Sequence, residues 1–123
     1  MFTLDSNPII YFLKDDPSAV SFFQKILSDQ DKIYISSVTE LELFGFPNLS
    51  DKETALIESF IDTISTIALD SRIARIAGYL RRKYKIALPD SAIAATALYT
   101  GSTLVTRNVS DFKDIPNLAI QEI

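Results

Sequence analysis

The chain has no cysteine, no histidine and no tryptophan, and only three glycines among its 123 residues. Without cysteine there are no disulfides and no thiolate-held metals. That fits a reducing compartment, and the expected location is the cytoplasm. The missing histidine excludes more. Ser-His-Asp nucleophilic catalysis, imidazole acid–base work and His-ligated zinc all fall away. Any metal must be held mainly by oxygen, which points to Mg²⁺ or Mn²⁺. No basic leader precedes an apolar run at the N-terminus, and no apolar run is long enough to span a bilayer, so no membrane association is expected. Repeats, low-complexity segments and linkers are also absent.

What is present suits one packed domain over residues 1–123. The length is ample for one core and short for two. Apolar residues make up 47% of the chain, enough for a globular interior. The formal net charge is −4, which disfavours generic binding to nucleic acid, because phosphate contacts dominate that affinity. Acids gathered around a cation would change this, since local charge then decides.

One stretch stands out, Leu88-Pro89-Asp90-Ser91-Ala92-Ile93-Ala94-Ala95-Thr96-Ala97-Leu98. Pro89 is tolerated at a helix start, Asp90 complements the positive end of the helix dipole, and Gly101 supplies a stop. The body is apolar on almost every side, so an interior helix is expected. Its alanines would let it approach a sheet closely.

Around it, short apolar runs alternate with helical patterns. Strands are expected at residues 2–4, 32–36, 66–69, 103–106 and 118–120. Between them, Ser6 or Asn7 can cap a helix with Pro8 at its first position, and after a break at residues 14–17 a second helix, striped by Val20, Phe23, Ile26 and Leu27, runs to about Ser28. Ser37 and Glu40 have capping-box spacing for a helix reaching about Phe44. Ser50 or Asp51 starts another, striped by Leu56, Ile57, Phe60, Ile61 and Ile64. Asp70 caps a helix striped by Ile73, Ile76, Ala77 and Leu80. Asn108 to Lys113 is a short turn or helix. The pattern predicts an α/β fold, a three-layer sandwich with a largely parallel central sheet flanked by helices.

In such sheets the working crevice lies beyond the carboxyl ends of the strands. Four acids fall there: Asp5 after the first strand, Glu42 in the helix after the second, Asp90 at the mouth of the interior helix, and Asp111 after residues 103–106. Converging carboxylates raise one another's pKa unless a cation joins them. A divalent ion can hold a phosphate oxygen, acidify a water and stabilise a leaving oxygen, so phosphodiester hydrolysis needs no histidine. Each acid also has a plainer reading on its own. Asp5 and Asp70 suit helix caps, Asp90 suits the dipole, Asp111 suits a turn, Glu42 suits a solvated helix face, and Glu40 suits the capping box.

Four blocks together resemble the PIN-domain family, in particular the VapC-type toxin ribonucleases of prokaryotic toxin–antitoxin pairs. They are Leu4 to Tyr11, Ile35 to Leu43, Leu88 to Leu98, and Leu104 to Phe112 continued by Ile115 to Leu118. The resemblance spans the whole chain in order. It implies an Mg²⁺- or Mn²⁺-dependent endoribonuclease with Asp5, Glu42, Asp90 and Asp111 as the acidic set. Asp5 and Asp90 would be the nearest metal ligands, with Thr106 and Asn108 supporting them. Glu40 offers a competing alignment, but spacing from Ile35 and the match at Leu43 favour Glu42. In-line attack by a metal-activated water would leave a 5′-phosphate and a 3′-hydroxyl. The resemblance also implies homodimers and inhibition by a small cognate antitoxin that inserts side chains into the acidic site.

A basic run is read from the residues alone. Arg72, Arg75, Arg81, Arg82, Lys83 and Lys85 are half of the 12 lysines and arginines. They form either a solvated helix face or a phosphate-contacting strip leading to Asp90, with Arg72, Arg75 and Arg82 as the RNA-binding set. Two other functions stay open. One is a catalytically inactive RNA-binding module. The other is a receiver-like phosphoacceptor domain, although Asp5 lacks an adjacent acid and no lysine follows Ala119.

Overall fold

The computed structural model describes residues 1–123. Five short strands form one parallel sheet, β1 (Phe2–Leu4), β2 (Ile33–Ser36), β3 (Ser65–Ile67), β4 (Thr103–Thr106) and β5 (Ile120–Glu122), in the order β3-β2-β1-β4-β5. Thr3 pairs with Tyr34 on one side and Leu104 on the other, which places β1 at the centre. Seven helices connect them: α1 (Ser6–Leu13), α2 (Pro17–Ser28), α3 (Ser37–Phe44), α4 (Asp51–Ile61), α5 (Ser71–Tyr84), α6 (Leu88–Thr100) and α7 (Val109–Phe112). The expected α/β sandwich with a parallel sheet is what forms.

The sheet separates two apolar clusters. Leu4, Ile35 and Val105 point into the first with Ile9, Phe23, Ile57 and Phe60 from α1, α2 and α4. Phe23 is fully buried between the rings of Phe12 and Phe60, at centroid distances of 4.7 and 5.6 Å. Such tilted and edge-on pairs add about 0.5–1.5 kcal/mol each beyond their burial. Leu104 points the other way, into a cluster with Ile73, Leu80, Ile93 and Phe112 from α5, α6 and α7.

Helix α6 is the interior helix the sequence suggests. Every residue from Ser91 to Ala97 is buried. It ends at Gly101, whose φ of +66° is the left-handed conformation that glycine adopts without strain. Its start has no side-chain cap, so Asp90 in the first turn is the negative group that faces the dipole there.

Three local expectations need correction. Helix α1 is capped by Asp5 and not by Ser6 or Asn7. Helix α3 is capped by Ser36, so the Ser37–Glu40 capping box does not form; the box is at Ser50 and Glu53 on α4. Ser36 is the last residue of β2, and its hydroxyl takes the Val38 amide at 3.0 Å, one residue earlier than the spacing suggested. The last strand is also shifted, because Ile120, Gln121 and Glu122 are the residues that pair with Leu104, Val105 and Thr106.

Candidate active site

Strand β1 ends at Leu4, so Asp5 emerges from the centre of the sheet at its carboxyl edge. The Asp5 amide still donates to the Val105 carbonyl at 3.0 Å, which fixes its backbone against β4. The residue is 4% exposed, and its side chain serves two donors. Oδ1 accepts from the Ser6 amide at 2.8 Å, and Oδ2 accepts from the Thr106 hydroxyl at 2.9 Å. The same Thr106 oxygen accepts from the Asn108 amide at 3.0 Å, so the β4–α7 turn is tied to Asp5.

Glu42 reaches the same region from α3, and Asp90 from the first turn of α6. With Ser6, Asn7 and Asn108 they line a pocket of about 380 Å³. Water's share of liquid volume is about 30 Å³, so a hydrated ion fits with room for more. Asp111 is exposed on α7 and lines a neighbouring cavity with Lys85, Ser110 and Asp114. Asp90 lines both cavities. Three of the four expected acids therefore line one pocket, and the fourth, Asp111, lines the neighbouring cavity, from which its charge acts on both Asp5 and Asp90. Glu40 lines neither cavity.

The electrostatics agree with this crowding. Burial is the main cause that raises Asp5, with the charge of Asp111 adding to it, while the bonds from Thr106 and Ser6 pull the other way. Glu42 is raised by burial, then by the charges of Asp5 and Asp90, against a smaller opposing pull from Ser6. Asp90 is pushed up to about 6, by burial first and then by Asp5 and Asp111. The acids sense one another as a coupled group.

One atom of the pocket acids is left without a partner. Glu42 Oε1 is buried and accepts no hydrogen bond. A buried carboxylate oxygen without a donor is costly, and a cation is one way to satisfy it. No three acidic groups stand close enough to form a ready-made metal cage. The donor set therefore fits an ion that uses one or two carboxylates and completes its shell with water and phosphate, as Mg²⁺ does.

The basic run is only partly near this site. Arg72 is tied to Asp70 at 2.9 Å and lies over the Tyr99 ring at 5.2 Å. Tyr99 is nine residues past Asp90 on α6, about 13 Å along the axis. Arg72 is therefore at the far end of α6. Arg75 is exposed, and Arg82 lies over its own helix neighbour Tyr79 at 5.7 Å. Lys85, which the RNA-binding set omitted, is the member of the run that lines the cavity beside Asp90. Its left-handed backbone, φ 55°, ends α5 and turns the chain into α6. Ser6 and Asn7 line the pocket although the sequence reads as giving them capping roles.

A parallel α/β sandwich with an acidic pocket at the carboxyl edge of its central strands defines a class, the α/β proteins whose crevice is built from carboxylates. The PIN-domain family model matches residues 2–118. The chain is 28% identical over 123 residues to Ribonuclease VapC19 of Mycobacterium tuberculosis, across 96% of this chain and 97% of that protein. It is 30% identical to the tRNA(fMet)-specific endonuclease VapC of Shigella flexneri, across 98% and 96%. Its fold matches the DNA-bound VapBC structure from Salmonella typhimurium with a TM-score of 0.84 and 26% identity, covering 98% of this chain and 96% of that one. The chain belongs to the PIN-domain family, in its VapC branch.

Proposed function

We propose that this protein is a metal-dependent endoribonuclease, the toxin of a toxin–antitoxin pair, acting in the cytoplasm as one PIN domain. The observation that carries the reading is the pocket where Asp5, Glu42 and Asp90 meet from β1, α3 and α6 with one buried Glu42 oxygen lacking a donor. The names of the VapC relatives, a ribonuclease and a tRNA endonuclease, support the substrate class. No helix is long and apolar enough to cross a membrane.

Asp5 and Asp90 would hold Mg²⁺ or Mn²⁺, with Glu42 and Asp111 completing the site directly or through water. When bound, the ion supplies charge that holds a phosphate oxygen and makes a water more acidic. Thr106 orients the Asp5 carboxylate, and Asn108 presents its side chain at the pocket rim. Glu42 is placed to orient water or, in its ionised form, to take its proton, since burial and its acidic neighbours raise its pKa and with it its proton affinity. Lys85 stands where it can meet the RNA backbone, and Arg75 and Arg82 extend the positive strip along α5. The structures of VapBC complexes support a cognate antitoxin as partner. A homodimer is the assembly that the family resemblance implies.

An RNA-cleavage assay with purified chain tests the reading. Cleavage that is lost in EDTA and restored by Mg²⁺ or Mn²⁺ is expected. Cleavage that persists in EDTA, or equal cleavage by Asp90→Asn, would overturn it.

A further inference from the structure

Arg107 follows Thr106 directly and precedes Asn108, yet it points away from the acidic pocket. Its guanidinium is held on four sides. Nη2 donates to Asp16 Oδ2 at 2.8 Å and to the Ser18 hydroxyl at 3.1 Å. Nε donates to the Ile123 carbonyl at 2.9 Å. Its flat face lies 3.9 Å from the centroid of the Tyr11 ring. Asp16 also caps α2 by accepting from the Ala19 amide at 3.1 Å.

These contacts come from three parts of the chain. Tyr11 is on α1, Asp16 and Ser18 are at the start of α2, and Ile123 follows β5. All meet on one side chain of the β4–α7 turn. The residues on either side of it face the site. Thr106 bonds Asp5, and Asn108 lines the pocket and donates its amide back to Thr106. A planar guanidinium can stack and form directed bonds at the same time, which an ammonium cannot.

We infer that Arg107 is a positioning residue for the acidic site: its clamp onto Tyr11, Asp16 and Ile123 holds the β4–α7 turn so that Thr106 and Asn108 keep Asp5 in its working orientation. The inference builds on the nuclease reading above, because the site it positions is that one. Arg107 touches no substrate in this account. Its effect passes through Thr106 and Asn108.

The test uses the full chain and three measurements: melting temperature, hydrogen exchange at the Asn108 amide, and steady-state RNA cleavage with Mg²⁺. Arg107→Ala is expected to raise Asn108 exchange tenfold or more while the amides of α6 keep their protection. It is expected to lower kcat tenfold or more with KM changed less than twofold. Arg107→Lys keeps the charge and loses the stack and the fork, so it is expected to restore less than half of the lost kcat. Unchanged Asn108 exchange and kcat in Arg107→Ala would overturn the inference, as would an equal loss of protection throughout α6. If Arg107→Ala does not fold, Tyr11→Leu removes the stacking face and keeps an apolar side chain. It is then expected to raise Asn108 exchange severalfold, and no change would overturn the inference. A parent chain that cuts no RNA defeats the nuclease reading alone, since the exchange measurement needs no activity.

Discussion

Thr106 donates its hydroxyl to Asp5 Oδ2 at 2.9 Å, joining the carboxyl ends of two neighbouring strands that lie 101 residues apart in the chain. Both residues are buried, and the bond is the main one opposing the effect of burial on Asp5. Thr106→Val keeps the shape and removes the donor. A buried acceptor left without its partner costs about 1–3 kcal/mol. Loss of a group that orients a metal-holding carboxylate lowers activity about 10–100-fold. Urea unfolding and cleavage rates on the same preparation check both. A variant as stable and active as the parent would contradict this role.

Asp90→Asn should remove cleavage by about a thousandfold, because the charge that would hold the ion supplies several kcal/mol of transition-state stabilisation. The same change relieves repulsion from Asp5 and Asp111. In EDTA at pH 7 the variant is therefore expected to melt higher than the parent. Calorimetry in EDTA is the check, and a lower melting temperature would count against the crowding of these acids.

The pH dependence follows from the raised carboxylate. Asp90 titrates near 6 in the folded chain and near the ordinary 3.8 when unfolded. Between those values the folded state binds more protons, so stability falls as pH rises from about 4 to 6. The contribution is fully present below the unfolded value and lost above the folded one. Asp90→Asn should flatten this part of the melting curve. Under limiting Mg²⁺, cleavage should rise over the same interval, because the ion needs the ionised form.

Glu42 and Glu40 separate cleanly. Glu42→Gln is expected to lower cleavage at least tenfold, whereas Glu40→Gln should stay within about twofold, since Glu40 lines neither cavity. Similar losses in both would mean that the helix face has been assigned wrongly.

Along the basic run, Lys85→Ala should weaken RNA binding more than Arg72→Ala. Lys85 lines the cavity beside Asp90, while Arg72 is at the far end of α6 and already paired with Asp70. Binding measured against salt should lose about one unit of slope for a phosphate contact. Equal effects would favour a diffuse positive face over a local contact.

Much of this was legible because the information is local. The α6 stretch carries its own start, stop and apolar body, so Asp90 follows from the helix start and Asp5 from a strand end. Asp111 lies in the short segment where the sequence puts it, but its place in the cavity beside the pocket of Asp5 and Glu42 depends on how α7 sits against α6. The cap of α3 is not legible in the sequence because Ser36 and Ser37 are equally good oxygens, and only the backbone shows which one leads. The last strand lies two residues beyond its expected place because short edge strands take their register from the neighbour and not from their own pattern. Arg107 was invisible as a clamp, since its ion partner lies 91 residues away.

Asp5 performs two duties with its two oxygens, as the cap of α1 and as a wall of the pocket. That overlap narrows what position 5 can become. Alanine would empty the pocket wall and leave the first turn of the helix without its cap, so inactivity and instability would arrive together. Asparagine and serine are the neutral residues that cap about as well as aspartate. A folded but silent form of this protein is therefore reachable through one or two amino acids at that position, and a chain of this kind carrying either there should be read as a binder that has given up cutting.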